Sequence, residues 1–302
     1  MTDGPHPGAP GARSAALGAQ LIWGLLPLYL ILVETVPAIE FVGWRIIFSI
    51  PFCLLFIHWR GQWPDLVAIF GQWKVLRLLL VTAILIAANW LIYVAAIQAG
   101  HVYAASFGYY ITPLLQVLAG TLFLGEKLSP RQWLAVAISA LGVVLLGWGE
   151  LSMLWISLTI ALCWSAYGFV RKFTPVGSLP GLTVETLVLL PVAAGIVVWY
   201  GAAPAGSSFG HDAALSWLIV LAGPLTALPL TLFAIAARGM DFTTLGMLQF
   251  VGPTIVFALG VTVFGLPLDP AQMASFAVIW IAIGLYVWDL VARRPSTGEA
   301  PA

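Results

Sequence analysis

Apolar runs of close to 20 residues follow one another along the whole chain, separated by short polar breaks. A bilayer core of about 30 Å requires runs of that length from a helix rising 1.5 Å per residue. Ten runs can be marked, at 15–33, 40–58, 75–97, 103–124, 132–148, 152–170, 184–201, 214–236, 243–264 and 272–291. The longest breaks, 59–74, 171–183 and 202–213, leave no room for a folded soluble domain. The pattern therefore predicts an all-α polytopic membrane protein with ten transmembrane helices. Residues 1–14, rich in Gly, Pro and Ala, read as a disordered tail, and 292–302 as a second one. The first apolar run lacks a small-residue cleavage signature, so it reads as a retained helix and not as a removed signal peptide.

The placement of Lys and Arg tests this count independently, because both collect at cytoplasmic helix ends. Arg13, then Arg60, Lys74 and Arg77, then Lys127 and Arg131, then Arg171 and Lys172, then Arg238, then Arg293 and Arg294 fall at alternate connections. The intervening turns, around Glu34, His101, Glu150, Asp212 and Asp269, carry neither residue. The alternation requires an even number of spans and puts both termini in the cytoplasm.

Sliding the chain against itself by 140 residues pairs Pro51 with Pro191, Pro113 with Pro253, Gly120 with Gly260, Gly125 with Gly265, Pro130 with Pro270 and Gln132 with Gln272. Proline lacks the N–H and clashes one turn back, so it is costly inside a helix. Two pairs of intramembrane prolines at one offset point to an internal duplication. Each unit, 15–148 and 152–291, holds five helices. Five is odd, so the second copy starts from the opposite side of the membrane and the repeat is inverted. Inverted repeats build secondary transporters, with a binding site near the midplane between the halves. Pro51, Pro113, Pro191 and Pro253 are then candidate kinks about which one half rocks against the other, or prolines that the membrane setting tolerates.

Composition agrees with this class. Of 302 residues, 61% are apolar and 8% charged, against about 45–50% and about 25% in soluble domains. A water-soluble fold is excluded. Lys plus Arg and Asp plus Glu balance at 12 each, so no net field draws in nucleic acid. Cys53 and Cys163 lie inside apolar runs, and two thiols make no ligand cluster, so no metal or other cofactor is expected. The chain has no GxxxxGK(S/T) or HExxH motif and no GxSxG on a strand-to-helix turn, and the lack of a phosphate loop argues against ATP-driven transport by this chain alone. The histidines, His6, His58, His101 and His211, are scattered over the tail, helix ends and a loop, which argues against an intramembrane enzyme. The expected partners are a small-molecule substrate, a coupling proton and the lipid bilayer; nothing in the sequence supports a homodimer.

Among the polar residues inside the runs, Arg45 stands apart. It lies about five residues into the second span, and so about 8 Å below the outer boundary at 1.5 Å per residue. A cation at full depth costs roughly 2.5–3.5 kcal/mol unless it meets water or a partner. Arg45 reads as an anchor for an anionic substrate group such as a carboxylate, or as a snorkelling side chain that braces the outer loops. The repeat maps it onto Glu185, near the cytoplasmic start of the seventh span. Glu185 reads as lining the inner part of the same pathway and taking up the proton, or as an acidic residue favoured by the helix dipole. Asn89 lies well inside the third span, where its amide needs hydrogen bonds from substrate or from a neighbouring helix. Tyr103, Ser106 and Tyr110 fall at i, i+3 and i+7 with Tyr109 beside them, a helical face fit to line a wet cavity and stack on flat ligands. Tyr103 alone also suits an interfacial anchor. Tyr167 and Gln249, the repeat mate of Tyr109, complete the polar set. Trp23 and Trp90 read as packing residues, and Asp65, Glu126 and Asp241 as solvated turn residues.

The segment GYYITPLLQVLAGTLFLGEKLSPRQWLAV (108–136), with its Gly-Glu-Lys turn, resembles the EamA group of the drug/metabolite transporter superfamily. ANWLIYVAAIQAGHVYAASFGYYITPLL (88–115), YGFVRKFTPVG (167–177) and ETLVLLPVAA (185–194) narrow the resemblance to RarD-type members, over nearly the whole chain. The resemblance implies a ten-helix carrier of the bacterial cytoplasmic membrane, in a family that exports metabolites, amino acids and drugs. One departure is that the superfamily commonly repeats the Gly-Glu turn in both halves, whereas the second copy here reads Gly265-Leu266-Pro267. That puts a symmetric polar contact in question. The leading expectation is a secondary carrier working by alternating access; an intramembrane enzyme and a scaffold or sensor without flux are the competing readings.

Overall fold

The computed structural model describes residues 11–99, 101–147, 154–204, 206–265 and 270–292, which contain helices and no strand. α1 (Ala12–Leu30) ends in a 3-10 turn at Ile31–Val33, and α2 (Ala38–Trp59) returns. α3 (Trp63–Phe70), α4 (Trp73–Gln98), α5 (Val102–Phe123) and α6 (Pro130–Gly147) complete the first half. The second contains α7 (Leu154–Phe173), α8 (Ser178–Ala202), α9 (Ala213–Gly239), α10 (Phe242–Leu248), α11 (Val251–Thr262) and α12 (Pro270–Ala292). Nine stretches among the described residues are long and apolar enough to cross a membrane, α10 and α11 counting together as one of them. α5 spans 22 residues but stands outside that set, its apolar run diluted by Ser106, Tyr109, Tyr110, Thr112 and Gln116.

Three details differ from the sequence expectation. α1 begins at Ala12, so the end of the expected N-terminal tail is helical; residues 1–10 and 293–302 lie outside the described residues. The break at 59–74 contains α3, started by a proline in its first turn and buried only on the Leu66 and Ile69 side. The ninth run is not one helix. Pro253 has no N–H to offer the Gln249 carbonyl and its ring crowds that position, and the helix breaks there, α10 ending at Leu248 and α11 starting at Val251. Pro51, Pro113 and Pro191 are accommodated inside α2, α5 and α8.

Hydrocarbon rather than water sets which faces are apolar. Leu55, Trp59, Phe123, Val198, Trp217 and Ile281 are large, apolar and exposed, as lipid-facing side chains must be. The dominant helix contacts join one half to the other. α1 packs on α9 and α11 as α7 packs on α4 and α5; α2 packs on α9 as α8 packs on α4; α2–α8, α5–α10 and α6–α12 pair equivalent helices. Gly125 and Gly265, equivalent in the repeat, both take the left-handed conformation, at φ +65° and +63°.

Short connections give the bundle two ends. The near end carries the start of α1, and the far end carries the α1–α2 turn. At the far end Tyr29 donates to the Leu218 carbonyl at 2.7 Å, and buried Glu40 accepts from Ser207, Ser208 and the Ser208 amide at 2.6–2.8 Å. At the near end Ser129 donates to Asp289 at 2.8 Å. α2 and α9 touch at Gly223, where an added Cβ would overlap the Phe48 carbonyl, while Ser49 donates to the Gly223 carbonyl at 3.2 Å.

Gly223→Ala forces two backbones apart and is expected to destabilise the bundle by about 1–3 kcal/mol. Gly195→Ala, at a position with open space around it, is expected to leave stability unchanged. Thermal unfolding of the two variants in detergent compares them directly.

Candidate functional site

A cavity of about 310 Å³ opens along the seam between the halves. It runs from Gln20, Trp164 and Gln249 at mid-bundle toward Tyr29, Leu30 and Phe41 near the far end. Five of the pathway candidates from the sequence meet on its wall, Arg45, Ser106, Tyr109, Tyr110 and Gln249, together with the candidate kink Pro253. Ser106 and Tyr110, the i+3 and i+7 members of the α5 face, line the cavity; the side chain of Tyr103 lies outside the described residues.

Arg45 does not snorkel. Its Nε donates to Thr226 Oγ1 at 3.0 Å, and its guanidinium lies 4.6 Å from the centre of the Trp90 ring, a cation–π contact that holds the plane of the head group. No acid answers it: Arg45 is the sole charged side chain among the described lining residues. Behind the wall, Asn89 donates to the Ile160 carbonyl at 2.9 Å and accepts from the Tyr109 hydroxyl at 3.1 Å. Asn89 therefore positions Tyr109, with Tyr93 edge-on to it at 5.7 Å. At the base, Gln249 accepts from Trp164 Nε1 at 2.8 Å and donates to Gln116. The helix break places Gln249 there.

The other two candidates lie apart from the cavity lining. Tyr167 is fully buried and packs against both Trp164 and Phe233, the three ring centres lying 4.9–6.1 Å apart. Glu185 accepts from Thr82 at 2.5 Å and from the Tyr167 hydroxyl at 3.4 Å, and lies 3.6 Å from Arg171 Nη1. It belongs to the packed near end rather than to the open pathway expected of it. Arg171 and Lys172 are not solvated end charges but are buried. Arg171 donates to the Ser178 carbonyl at 2.9 Å, in space left by Gly181, where a Cβ would collide with the guanidinium. Lys172 donates to the Met240 carbonyl at 2.6 Å, just past the end of α9, where cations are favoured.

Sequence reasoning missed two features. Trp23, Trp90 and Trp164 line the cavity, whereas hydropathy alone cannot separate a tryptophan facing lipid from one facing a ligand. Glu126 is not a solvated turn residue: its carboxylate accepts from the Phe242 and Thr243 amides at 2.7 and 2.8 Å, capping the first turn of α10. The turn of the first half thereby closes onto the second. Gly120, one turn earlier, leaves the space that Glu126 and Thr243 occupy.

Comparison with known proteins adds the following. A family model described as EamA-like transporter family matches residues 12–148. A Pseudomonas aeruginosa protein named as an uncharacterized transporter is 40% identical over 93% of this chain and 96% of its own. Protein RarD of Escherichia coli is 36% identical, over 94% of this chain and 96% of its own. The chloramphenicol-sensitive protein RarD of Pseudomonas aeruginosa is 32% identical, over 91% and 92%. A solved crystal structure at 20% identity superimposes with a TM-score of 0.72 over 94% of this chain and 99% of that one, which concerns the fold alone.

Removing one partner of a buried ion pair strands the other, a cost of about 3–5 kcal/mol. Glu185→Leu is expected to lose stability on that scale, and Arg171→Met combined with Glu185→Leu to recover most of it. Denaturant unfolding of the single and double variants in detergent checks the ordering.

Proposed function

This chain belongs to the EamA-like transporter family, in its RarD-type group, and we propose that it is a secondary carrier exporting a small metabolite, amino-acid-like compound or drug. It is an integral membrane protein and a membrane transporter rather than an enzyme; the bacterial cytoplasmic membrane is its proposed site. The observation that carries the reading is Arg45, a cation without a counter-charge among the described lining residues, facing a cavity at the seam between the halves. Lipid makes an unanswered charge expensive, so such a residue belongs where water or a ligand reaches it.

The proposed mechanism is alternating access between two inverted five-helix units. Support comes from the exchange-symmetric pairing of helices across the seam and from the proline and glycine pairs at one offset. Arg13, Arg60, Lys74, Lys127 and Arg131 gather at the near end, which makes that end cytoplasmic on the positive-inside rule and the cavity outward-facing. To open inward, the near end must break its packed layer and the bonds from Glu126 to α10. α10 is a short rigid segment, separated from α11 by the Gln249 break, and so suited to swing as a unit. Glu185 serves the closed end here, so Glu185→Gln is expected to leave the pH dependence of flux unaltered.

Purified protein in liposomes loaded with a bacterial metabolite extract is expected to release specific solutes that protein-free liposomes retain. Arg45→Ala should lower that release by at least about tenfold, the scale of one lost charge-assisted hydrogen bond. Absence of any release from the native protein would leave a scaffold, and chemical change of a solute an enzyme.

Glu126→Ala removes two bonds to a carboxylate, each roughly 1.5–3 kcal/mol, from the closed end only. With Cys53 and Cys163 replaced, a cysteine at position 106 in this variant should react less with impermeant thiol reagents from outside and more from inside. The ratio of labelling on the two sides of oriented vesicles measures the shift.

A further inference from the structure

The lining of the cavity narrows the class of substrate, and resting on the carrier reading above, we propose that it takes a monoanionic organic acid with a flat, one- or two-ring body. The charge census leads. Arg45 supplies one positive charge, and no Asp or Glu stands among the described lining residues to balance it or to receive a cation. With Nε committed to Thr226 and the plane held over Trp90, the two terminal amino groups form a planar fork, the geometry that takes a carboxylate or sulfonate through parallel hydrogen bonds. A cavity walled by aromatic rings strengthens that single attraction and equally strengthens repulsion of a second cation. An ammonium group on the substrate would find no acid, so zwitterionic amino acids and amines are disfavoured. A dianion would leave a charge in excess.

The body of the ligand follows from the walls. Trp23, Tyr93, Tyr109, Tyr110 and Trp164 line the cavity together with Arg45, an aromatic wall that suits stacking and edge contacts with a planar body. About 310 Å³ sits at the small end of the range of roughly 300–1,000 Å³ for ligand sites, enough for one or two rings and too small for a peptide. The base offers the amide of Gln20, able to bond a hydroxyl or carbonyl at the far side of the ring, while that of Gln249 is engaged by Trp164 and Gln116. An amide donor or acceptor costs little when unused beside water, so ring substituents are tolerated, whereas loss of the acid group is not.

Three compounds that share one skeleton separate the charge types: 3-phenylpropionate, phenylalanine and phenethylamine. Each is loaded with a radiolabel into proteoliposomes at neutral pH, where the three are anion, zwitterion and cation, and release from protein-free liposomes is subtracted. The acid is expected to leave at least about tenfold faster than the other two, with Arg45→Gln abolishing the preference and Arg45→Lys, which keeps the charge but not the fork, retaining a fraction of it. A lost bidentate contact predicts a roughly 10- to 100-fold weaker interaction with the acid. Faster release of phenylalanine or phenethylamine overturns the assignment while leaving the carrier intact. So does an extract-loaded experiment in which the released solutes are neutral or cationic. If neither the compounds nor any extract solute leaves, the carrier reading itself fails and the substrate class falls with it.

Discussion

A bilayer offers no hydrogen bonds, so each polar group on these helices must be answered by a neighbour or must face water. Most are answered in the simplest way. Ser49, Thr112, Thr226 and Thr254 donate to carbonyls one turn back in their own helices, at no demand on the fold. The larger groups each take a partner from across the seam: Asn89 from α7, Gln249 from α5, Glu185 from α4. These cross-seam contacts are what hold the two halves in register, because apolar surface gains little by leaving lipid for another helix. Arg171 Nε and Nη1 stay without a hydrogen-bond acceptor at the packed near end, and Arg45 faces the cavity with no acid among the described lining residues. Its unanswered charge and the cavity are two views of the same fact.

Much of this was legible in the chain, and the part that was not has a physical reason. Length and hydropathy located the helices to within a few residues, since the thickness of the hydrocarbon core dictates both. The offset that pairs Pro113 with Pro253 marked the two spans that carry Tyr109 and Gln249, and both residues reach the cavity. Proline acts on the carbonyl four residues back, and those two residues stand four before the two prolines. The helix break, however, appears only in the second half. What hydropathy cannot supply is azimuth. Trp90 and Trp59 are alike in sequence terms, yet one lies under Arg45 and the other is 77% exposed. Charge at a helix end is ambiguous in the same way: Arg60 is exposed and Arg171 is 0% exposed. Gly181, which makes room for Arg171, gives no recognisable signal on its own.

Glu126 illustrates the remaining gap. Its bond partners lie 116 and 117 residues away, so no local pattern identifies it as a cap. Only its repeat mate, Leu266, offered a hint, because a symmetric role would have required an acid in both copies. The asymmetry is informative. The Leu266 side chain has no acceptor, so it cannot cap the start of α5 as the Glu126 carboxylate caps the start of α10.

That asymmetry has an energetic consequence for a carrier built from two related halves. If the halves were identical, the conformations open to either side would be isoenergetic in a symmetric membrane. Two bonds from an ionised carboxylate to α10, worth roughly 1.5–3 kcal/mol each at most, favour closure at the near end with no equivalent from a carboxylate at the position of Leu266. Moving a two-state equilibrium from 1:99 to 99:1 takes about 5.5 kcal/mol, so one side chain supplies a substantial part of such a bias. On the alternating-access mechanism proposed above, the empty carrier rests with its near end closed and Arg45 exposed to the far side. For export, substrate approaching from the near side must meet the minor conformation, and its own binding must supply the difference. Arg45 is fitted to that task, because an anion that neutralises it is stabilised most where water has been excluded from both ends. The latch on α10 and the charge in the cavity thus act on the same equilibrium from opposite sides.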